Sequence, residues 1–96
     1  MITNIITAVV TAYCVGGKYC PAHQPCADGH WPVQGVTVAL PRRYPLGSTV
    51  VINGHTYVGQ DRMARRMEGR FDIFMQSERE ALHWGKQTVR VTVITP

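Results

Sequence analysis

The sequence has no apolar run long enough to cross a membrane, and it shows no secretory signal. Residues 1–4 contain no lysine or arginine, and the apolar stretch 5–10 is too short for a signal core. We therefore expect a protein made in the cytoplasm without an export signal of its own, with no insertion into a membrane. Charged residues are few, 17% against 45% hydrophobic residues, which is typical of a globular chain and not of a disordered one.

The sequence also lacks the close-spaced cysteine pair of structural zinc sites. Cys14, Cys20 and Cys26 are separated by six positions each, whereas zinc ligands commonly lie only a few residues apart in pairs. Three cysteines cannot all pair within one chain, so at least one is free or binds something else. We expect no metal and no other cofactor, and the spacing leaves open whether the cysteines are ordinary thiols or include one disulfide.

Acidic residues are scarce relative to basic ones. Six Asp and Glu stand against ten Lys and Arg, which gives a formal net charge of +4, and the arginines cluster at 42–43 and 62–70. Such a surface suits an anionic partner, either a nucleic acid, a membrane surface or an acidic cell-wall polymer, or it is a plain solvated face. The chain contains no recognisable nucleic-acid-binding motif, so we expect no nucleic-acid partner.

Short runs rich in β-branched residues dominate the rest of the chain. The predicted strands are 2–13, 35–40, 48–52, 55–59, 70–75 and 88–93. Asn53-Gly54 between two of these runs predicts a type I′ hairpin, because both residues tolerate positive φ. The predicted core consists of Val50, Ile52, Phe71, Ile73, Leu82, Val89, Val91 and Val93.

One short helix is predicted near residues 78–85. Ser77 with Glu80 three positions later forms a capping box, and Gly85 is a natural stop. Residues 14–34 have no period, and a loop of that length is usually functional or mobile. The sequence therefore predicts one domain over residues 1–96, a small mostly-β barrel of six strands with one short helix.

One acidic residue stands inside an apolar run. In residues 70–75, Phe71, Ile73 and Phe74 surround Asp72. An ionised carboxylate among such neighbours is costly unless it is paired, hydrogen-bonded or protonated. Asp72 is therefore either a structural carboxylate held by the backbone or by an arginine such as Arg70, or a functional group.

Four stretches resemble, in order, the three-aspartate domain of bacterial and phage cell-wall proteins. They are TAYC at 11–14, GVTVALPRRYPLGSTVVINGHTYVGQD at 35–61, GRFDIF at 69–74 and SEREALHWGKQTVRVTVI at 77–94. The resemblance covers nearly the whole chain except the loop at 15–34. It implies a six-stranded double-psi β-barrel, as in membrane-bound lytic transglycosylase A, stationary-phase survival proteins and the related rare-lipoprotein-A and expansin barrels.

Two of the three aspartates that name the family are kept. Asp61 stands at the second position and Asp72 at the third, whereas Leu40 replaces the first. After Asp61, the segment 62–65 replaces a threonine and a glycine pair of the family pattern. The third position holds the catalytic acid of the lytic transglycosylases, so the resemblance implies that role for Asp72.

The reaction implied by the resemblance is cleavage of peptidoglycan glycan strands. Apolar neighbours would keep Asp72 protonated near neutral pH, and a protonated carboxyl can donate to a glycosidic oxygen. In a lytic transglycosylase the 6-hydroxyl of muramic acid is the nucleophile, so one carboxyl serves as acid and then as base. We predict catalysis by Asp72 with support from Asp61. The predicted substrate contacts are Thr11, Tyr13, Gln60, Trp31 and Arg70.

Each of these assignments has a structural alternative. Asp61, expected in a turn, orients Asp72 or a substrate hydroxyl, or it caps a loop. Thr11 and Tyr13 line the groove or pack within a strand. Trp31 stacks on a sugar or covers the core.

Two functions follow as rival hypotheses. The first is a monomeric phage-type lytic transglycosylase that acts on peptidoglycan at the bacterial cell wall, in the periplasm or outside the cell. The second is an expansin-like module that binds glycan without cleaving it, which the missing first aspartate favours.

Overall fold

The computed structural model describes residues 1–16, 18, 20 and 22–96, and the strands in this part of the chain close into one barrel. The strands are β1 (Ile2–Tyr13), β2 (Thr37–Leu40), β3 (Thr49–Ile52), β4 (His55–Arg62), β5 (Phe71–Phe74) and β6 (Gln87–Thr95). A 3₁₀ helix, Arg65–Met67, precedes β5, and the helix α1, Glu78–Trp84, follows it. The predicted mostly-β barrel of six strands with one short helix is confirmed over the described residues.

The strands follow one another around the barrel in the order β1-β5-β2-β4-β3-β6, and β6 closes the barrel on β1. The pairs β1–β5 and β2–β4 are parallel, and the other four pairs are antiparallel. Of the strands consecutive in the chain, only β3 and β4 are also neighbours in the barrel. Residues far apart in the sequence therefore lie side by side, as Thr11 and Asp72 do.

The β3–β4 hairpin turns at Asn53-Gly54, as predicted. Asn53 has φ 51° and Gly54 has φ 76°, which are the two positive values that a type I′ turn requires. Ile52 pairs with His55 directly across this turn, so the register of the hairpin is set by its two-residue loop.

The barrel interior is filled by alternate side chains of all six strands. Most of the predicted core is confirmed as fully buried, with Val50, Ile52, Phe71, Ile73, Val91 and Val93 at 0–1% exposure. Val89 is only partly buried and packs against the edge of this core.

The prediction that Leu82 belongs to the core is wrong, because its side chain is 69% exposed. The helix α1 turns a different face to the barrel. Trp84 packs against the core, and its indole N–H donates to the carbonyl of Val10 at 3.2 Å. Leu82 lies two positions earlier, which is about 200° around a helix, so it faces away when Trp84 faces inward.

Both ends of α1 are formed by the predicted residues. Ser77 is the N-cap, and its Oγ accepts a hydrogen bond from the backbone N–H of Glu80 at 3.1 Å. Gly85 ends the helix with φ 68°, and its N–H donates to the carbonyl of Ala81. Among the described residues, no helix is long and apolar enough to span a membrane.

Candidate functional site

Four residues on adjacent strands form a row across one side of the barrel. Thr11 on β1 pairs with Asp72 on β5, Asp72 pairs with Ala39 on β2, and Ala39 pairs with Asp61 on β4. Their neighbours along the strands point into the core and are fully buried: Val10, Phe71, Ile73, Val38 and Leu40. Because side chains alternate along a strand, the row of four points outward, away from the core.

A β-bulge brings Asp61 into this row. In the β2–β4 register Val38 pairs with Gly59 but Ala39 pairs with Asp61, so Gln60 is an extra residue on β4. Regular alternation would place Asp61 on the same face as the buried Gly59. The extra residue reverses the alternation and turns Asp61 outward. The sequence prediction that Asp61 lies in a turn is therefore wrong, because β4 continues to Arg62.

Asp72 is half-buried, and among the described residues one side chain donates to it. The hydroxyl of Thr11 donates to its Oδ1 at 3.0 Å. The pKa of Asp72 is raised from 3.8 to about 6, mainly by burial; the Thr11 hydrogen bond lowers this pKa, and the negative charge of Asp61 contributes to the rise. Among the described residues neither Arg70 nor any other cation forms a salt bridge with this carboxyl.

Asp61 accepts three hydrogen bonds. The Tyr13 hydroxyl donates to its Oδ2 at 3.2 Å, and the backbone N–H groups of Ala27 and Arg62 donate to its Oδ1 at 3.0 and 2.9 Å. These donors come from β1, from the long loop and from β4 itself. Asp61 therefore fastens the loop to the barrel, which agrees with the loop-capping alternative.

Tyr13 reaches from β1 across two strands to Asp61. Its ring packs edge-on against Phe74, with 5.4 Å between the ring centroids. Burial and the adjacent charge of Asp61 raise its pKa well above the ordinary value of 10. Tyr13 consequently keeps its proton and acts as a permanent donor to Asp61.

The long loop that follows β1 contains a disulfide. Cys14, the residue after Tyr13, is bonded to Cys20, while Cys26 is a buried free thiol. Burial raises the pKa of Cys26 to about 11, with contributions from Asp61 and Asp28, so the thiol stays protonated and unreactive. Of the two alternatives left open by the sequence, the structure has one disulfide. The described part of the chain contains no group of three His, Cys, Asp or Glu side chains that could hold a metal ion.

The loop and three residues of the row, Ala39, Asp61 and Asp72, line a cleft of about 330 Å³, whereas Thr11 lies outside its lining. Both aspartates line it, and its other lining residues are Tyr13, Val15, Gln24, Pro32, Ala39, Arg62 and Ala64. The guanidinium of Arg62 donates to the carbonyls of Pro41 and Tyr44 at 2.9 and 2.6 Å, and it forms no salt bridge with any acid of the described residues. Sequence reasoning missed six of the lining residues: Val15, Gln24, Pro32, Ala39, Arg62 and Ala64.

The other predicted contact residues lie outside the lining of the cleft. Gln60 is the extra residue of the bulge, and its side-chain oxygen accepts a hydrogen bond from the Thr37 hydroxyl at 2.7 Å. Trp31 is 54% exposed, and its ring lies over His23, with 4.5 Å between the ring centroids. It precedes Pro32, which does line the cleft. Arg70 is half-buried just before β5.

Leu40, which the sequence resemblance aligned with an aspartate of the three-aspartate domain, belongs to the barrel core. It is fully buried and packs on Gly59, where an added Cβ would lie 2.8 Å from its δ-carbons. Its neighbour Ala39 is the β2 residue that faces the cleft. Two carboxyl groups therefore line this cleft, one on each side of Ala39.

No protein-family model matches this chain, and no curated protein matches it either.

Proposed function

We propose that this protein cleaves the glycan strands of peptidoglycan as a lytic transglycosylase, with Asp72 as its acid and base. The proposal is supported by the position of Asp72 in the cleft and by its raised pKa. It lines the cleft with a pKa of about 6, and it accepts one side-chain hydrogen bond, from Thr11 to Oδ1. A carboxyl that titrates near neutral pH can both deliver and recover a proton. The FDIF motif and the rest of the resemblance to the three-aspartate domain support the same role.

In the proposed reaction, protonated Asp72 donates its proton to the glycosidic oxygen as the bond from that oxygen to C1 of muramic acid breaks. The C6 hydroxyl of the same muramic acid attacks C1, and its proton passes to the Asp72 carboxylate. The products are a 1,6-anhydro end and a free hydroxyl on the leaving sugar, and the enzyme returns to its starting state. No water is consumed, and because the nucleophile is intramolecular a single carboxyl is enough.

Asp61 acts through position and charge in this proposal, not as a proton carrier. Its oxygens accept hydrogen bonds from β1, from the loop and from β4, and its negative charge helps to raise the pKa of Asp72. A hydrolase with two carboxylates would need the second one free to act as a base or nucleophile. In this cleft one carboxyl can exchange a proton and the other is occupied by hydrogen bonds. This arrangement suits the transglycosylase reaction better than hydrolysis by two carboxylates. The place of action that we propose is the bacterial cell wall, by analogy with phage lysis proteins.

The second candidate is a glycan-binding module without catalysis. Two observations favour it. Leu40 is a core residue that has no carboxyl group, and the carboxyl of Asp61 is occupied by hydrogen bonds, so neither position supplies an acid or a base. Trp31 at 54% exposure, beside the cleft residue Pro32, offers a ring face on which a sugar can stack in either case.

Incubation with purified peptidoglycan, followed by mass spectrometry of the soluble fragments, tests the proposal. Anhydro-muropeptides released by the protein and absent with Asp72→Asn support a lytic transglycosylase. Fragments with reducing ends would instead indicate hydrolysis. Co-sedimentation without any release would favour the binding module and overturn the catalytic proposal.

A further inference from the structure

The positive charge of the molecule is concentrated in the segment that links the two aspartate-bearing strands. This basic connector, residues 62–70, carries four arginines and a single acid, Glu68. Together with Arg42, which docks on it, the connector has five arginines against one glutamate, a local charge of +4. That value equals the formal net charge of the whole chain.

The connector begins in the cleft and returns beside it. It starts at Arg62 and Ala64, which line the cleft, and it ends at Arg70, two residues before Asp72. Arg65 and Arg66 follow Ala64 directly in a 3₁₀ helix. Their Cα atoms therefore lie within about 7 Å of the Cα of a lining residue, the limit set by two residues of extended chain.

Some of these charged side chains form hydrogen bonds or ion pairs within the molecule. Glu68 accepts from the backbone N–H of Arg42 at 2.7 Å and from its guanidinium at 3.5 Å. Arg62 is held by two backbone carbonyls. Arg65 and Arg66 are exposed, and within the described part of the chain neither forms a salt bridge.

We propose that Arg65 and Arg66 form an anion subsite beside the cleft, which binds carboxylates carried on side branches of the glycan. The inference rests on the proposed function for the identity of the polymer. A polymer with charge along its backbone, such as a nucleic acid, would bring its phosphates against Asp61 and Asp72. A glycan with neutral sugar rings and carboxylate branches places neutral groups over the aspartates and anionic groups over the arginines. Peptidoglycan has this distribution, because its free carboxylates lie on the peptide branches, which are attached to the glycan through amide bonds to the lactyl groups.

The test compares two forms of one ligand. Peptidoglycan freed of teichoic acid is used as it is, and a second portion has its carboxyl groups converted to amides. Binding of the full chain to each is measured by sedimentation, which requires no cleavage. The variants are the double substitution Arg65→Gln/Arg66→Gln and a matched control, Arg79→Gln/Arg90→Gln. The control removes two exposed arginines from α1 and β6 and leaves the same net charge.

We expect amidation to weaken binding of the wild-type protein by roughly 2- to 30-fold, the range for two exposed ion pairs. The Arg65/Arg66 variant should lose the same factor on untreated peptidoglycan and become insensitive to amidation. The control should behave as the wild type does. High salt should reduce the wild-type preference, because exposed charges are screened.

Three results would overturn the subsite: equal binding of both ligand forms by the wild type, an equal loss in the control variant, or tighter binding of a 20-nucleotide single-stranded DNA that depends on Arg65 and Arg66. The last result would indicate a nucleic-acid partner. Carboxylate-dependent binding without any release of fragments would support the subsite while the proposed catalysis fails. Fragment release with unchanged binding by the Arg65/Arg66 variant would reject the subsite alone.

Discussion

The two aspartates of the cleft lie on either side of Ala39, yet their surroundings differ. Asp61 accepts three hydrogen bonds, two of them from backbone N–H groups, and its donors join the loop to the barrel. Asp72 accepts one side-chain hydrogen bond, and its pKa is raised to about 6. Both residues are aspartates, so the residue type does not explain the difference. The number of hydrogen-bond donors and the degree of burial decide whether a carboxylate has a structural role or can exchange a proton.

The two carboxyl groups are also coupled. The charge of Asp61 raises the pKa of Asp72, although burial is the larger cause. The anchor of the loop therefore helps to keep the neighbouring carboxyl protonated. Substitutions of Asp72, Asp61 and Thr11 test whether the two carboxyl groups have these different roles.

The largest effect is expected for Asp72→Asn on activity. Asparagine keeps the size of the side chain but cannot deliver a proton, so release of anhydro-muropeptides should fall at least ~100-fold, the lower end for general acid–base catalysis. The melting temperature should not fall, since the substitution removes no ion pair. A stable and fully active Asp72→Asn protein would rule out the catalytic assignment.

The next effect concerns stability against pH. The native pKa of Asp72 is about 6 and its ordinary value is 3.8, so the native state binds the proton more tightly than the unfolded state does. This contribution is fully present below about pH 4 and is lost as the pH rises through 6. The shift corresponds to on the order of 3 kcal/mol.

Urea unfolding of the wild type and of Asp72→Asn at pH 4 and pH 7.5 measures this contribution. The wild type should lose stability relative to the variant between these two values, since all other titrating groups are shared. Parallel behaviour of the two proteins would show that Asp72 is not protonated preferentially in the fold.

A smaller loss is expected for Asp61→Ala, and it should appear in stability first. The substitution removes the acceptor of three hydrogen bonds, at a cost of about 2 kcal/mol. In a domain of this size that lowers Tm by roughly 8–16 °C. Asp61→Asn, which retains one carbonyl oxygen, should lose less. If Asp61→Ala melted like the wild type but lost as much activity as Asp72→Asn, Asp61 would be a catalytic group and not an anchor.

The elements of this fold could be predicted because their signals are local. Alternation of apolar residues gave the strands, Asn53-Gly54 gave the hairpin, and Ser77 with Gly85 gave the limits of the helix. Leu82 was misplaced because a helix of two turns has few apolar residues from which to infer the buried face. The indole of Trp84, which needs both burial and an acceptor, decided the orientation.

The roles of the two aspartates depend on contacts that no local pattern contains. Asp72 stood out because its neighbours in the strand are apolar, and this signal also predicted the raised pKa. The engagement of Asp61 requires the bulge at Gln60 and a donor from Ala27, 34 positions earlier in the chain. A bulge changes the face of a side chain without changing the composition of the strand, so the sequence alone did not reveal it.

The smallest effect is expected for Thr11→Val, which removes the Thr11 hydroxyl that donates to Asp72 and keeps the shape of the side chain. The Thr11 hydrogen bond lowers the pKa of Asp72, so its loss should raise that pKa. A hydrogen bond worth about 1 kcal/mol corresponds to roughly 0.7 pH units. In the proposed reaction the protonated carboxyl is the acid, so activity should decline above the pKa of Asp72, and we expect this decline to move to higher pH by that amount. Thr7→Val, at an exposed position on the same strand, is the control and should leave the profile in place. A lower rate with an unmoved profile would mean that Thr11 binds the substrate instead of setting the proton affinity of Asp72.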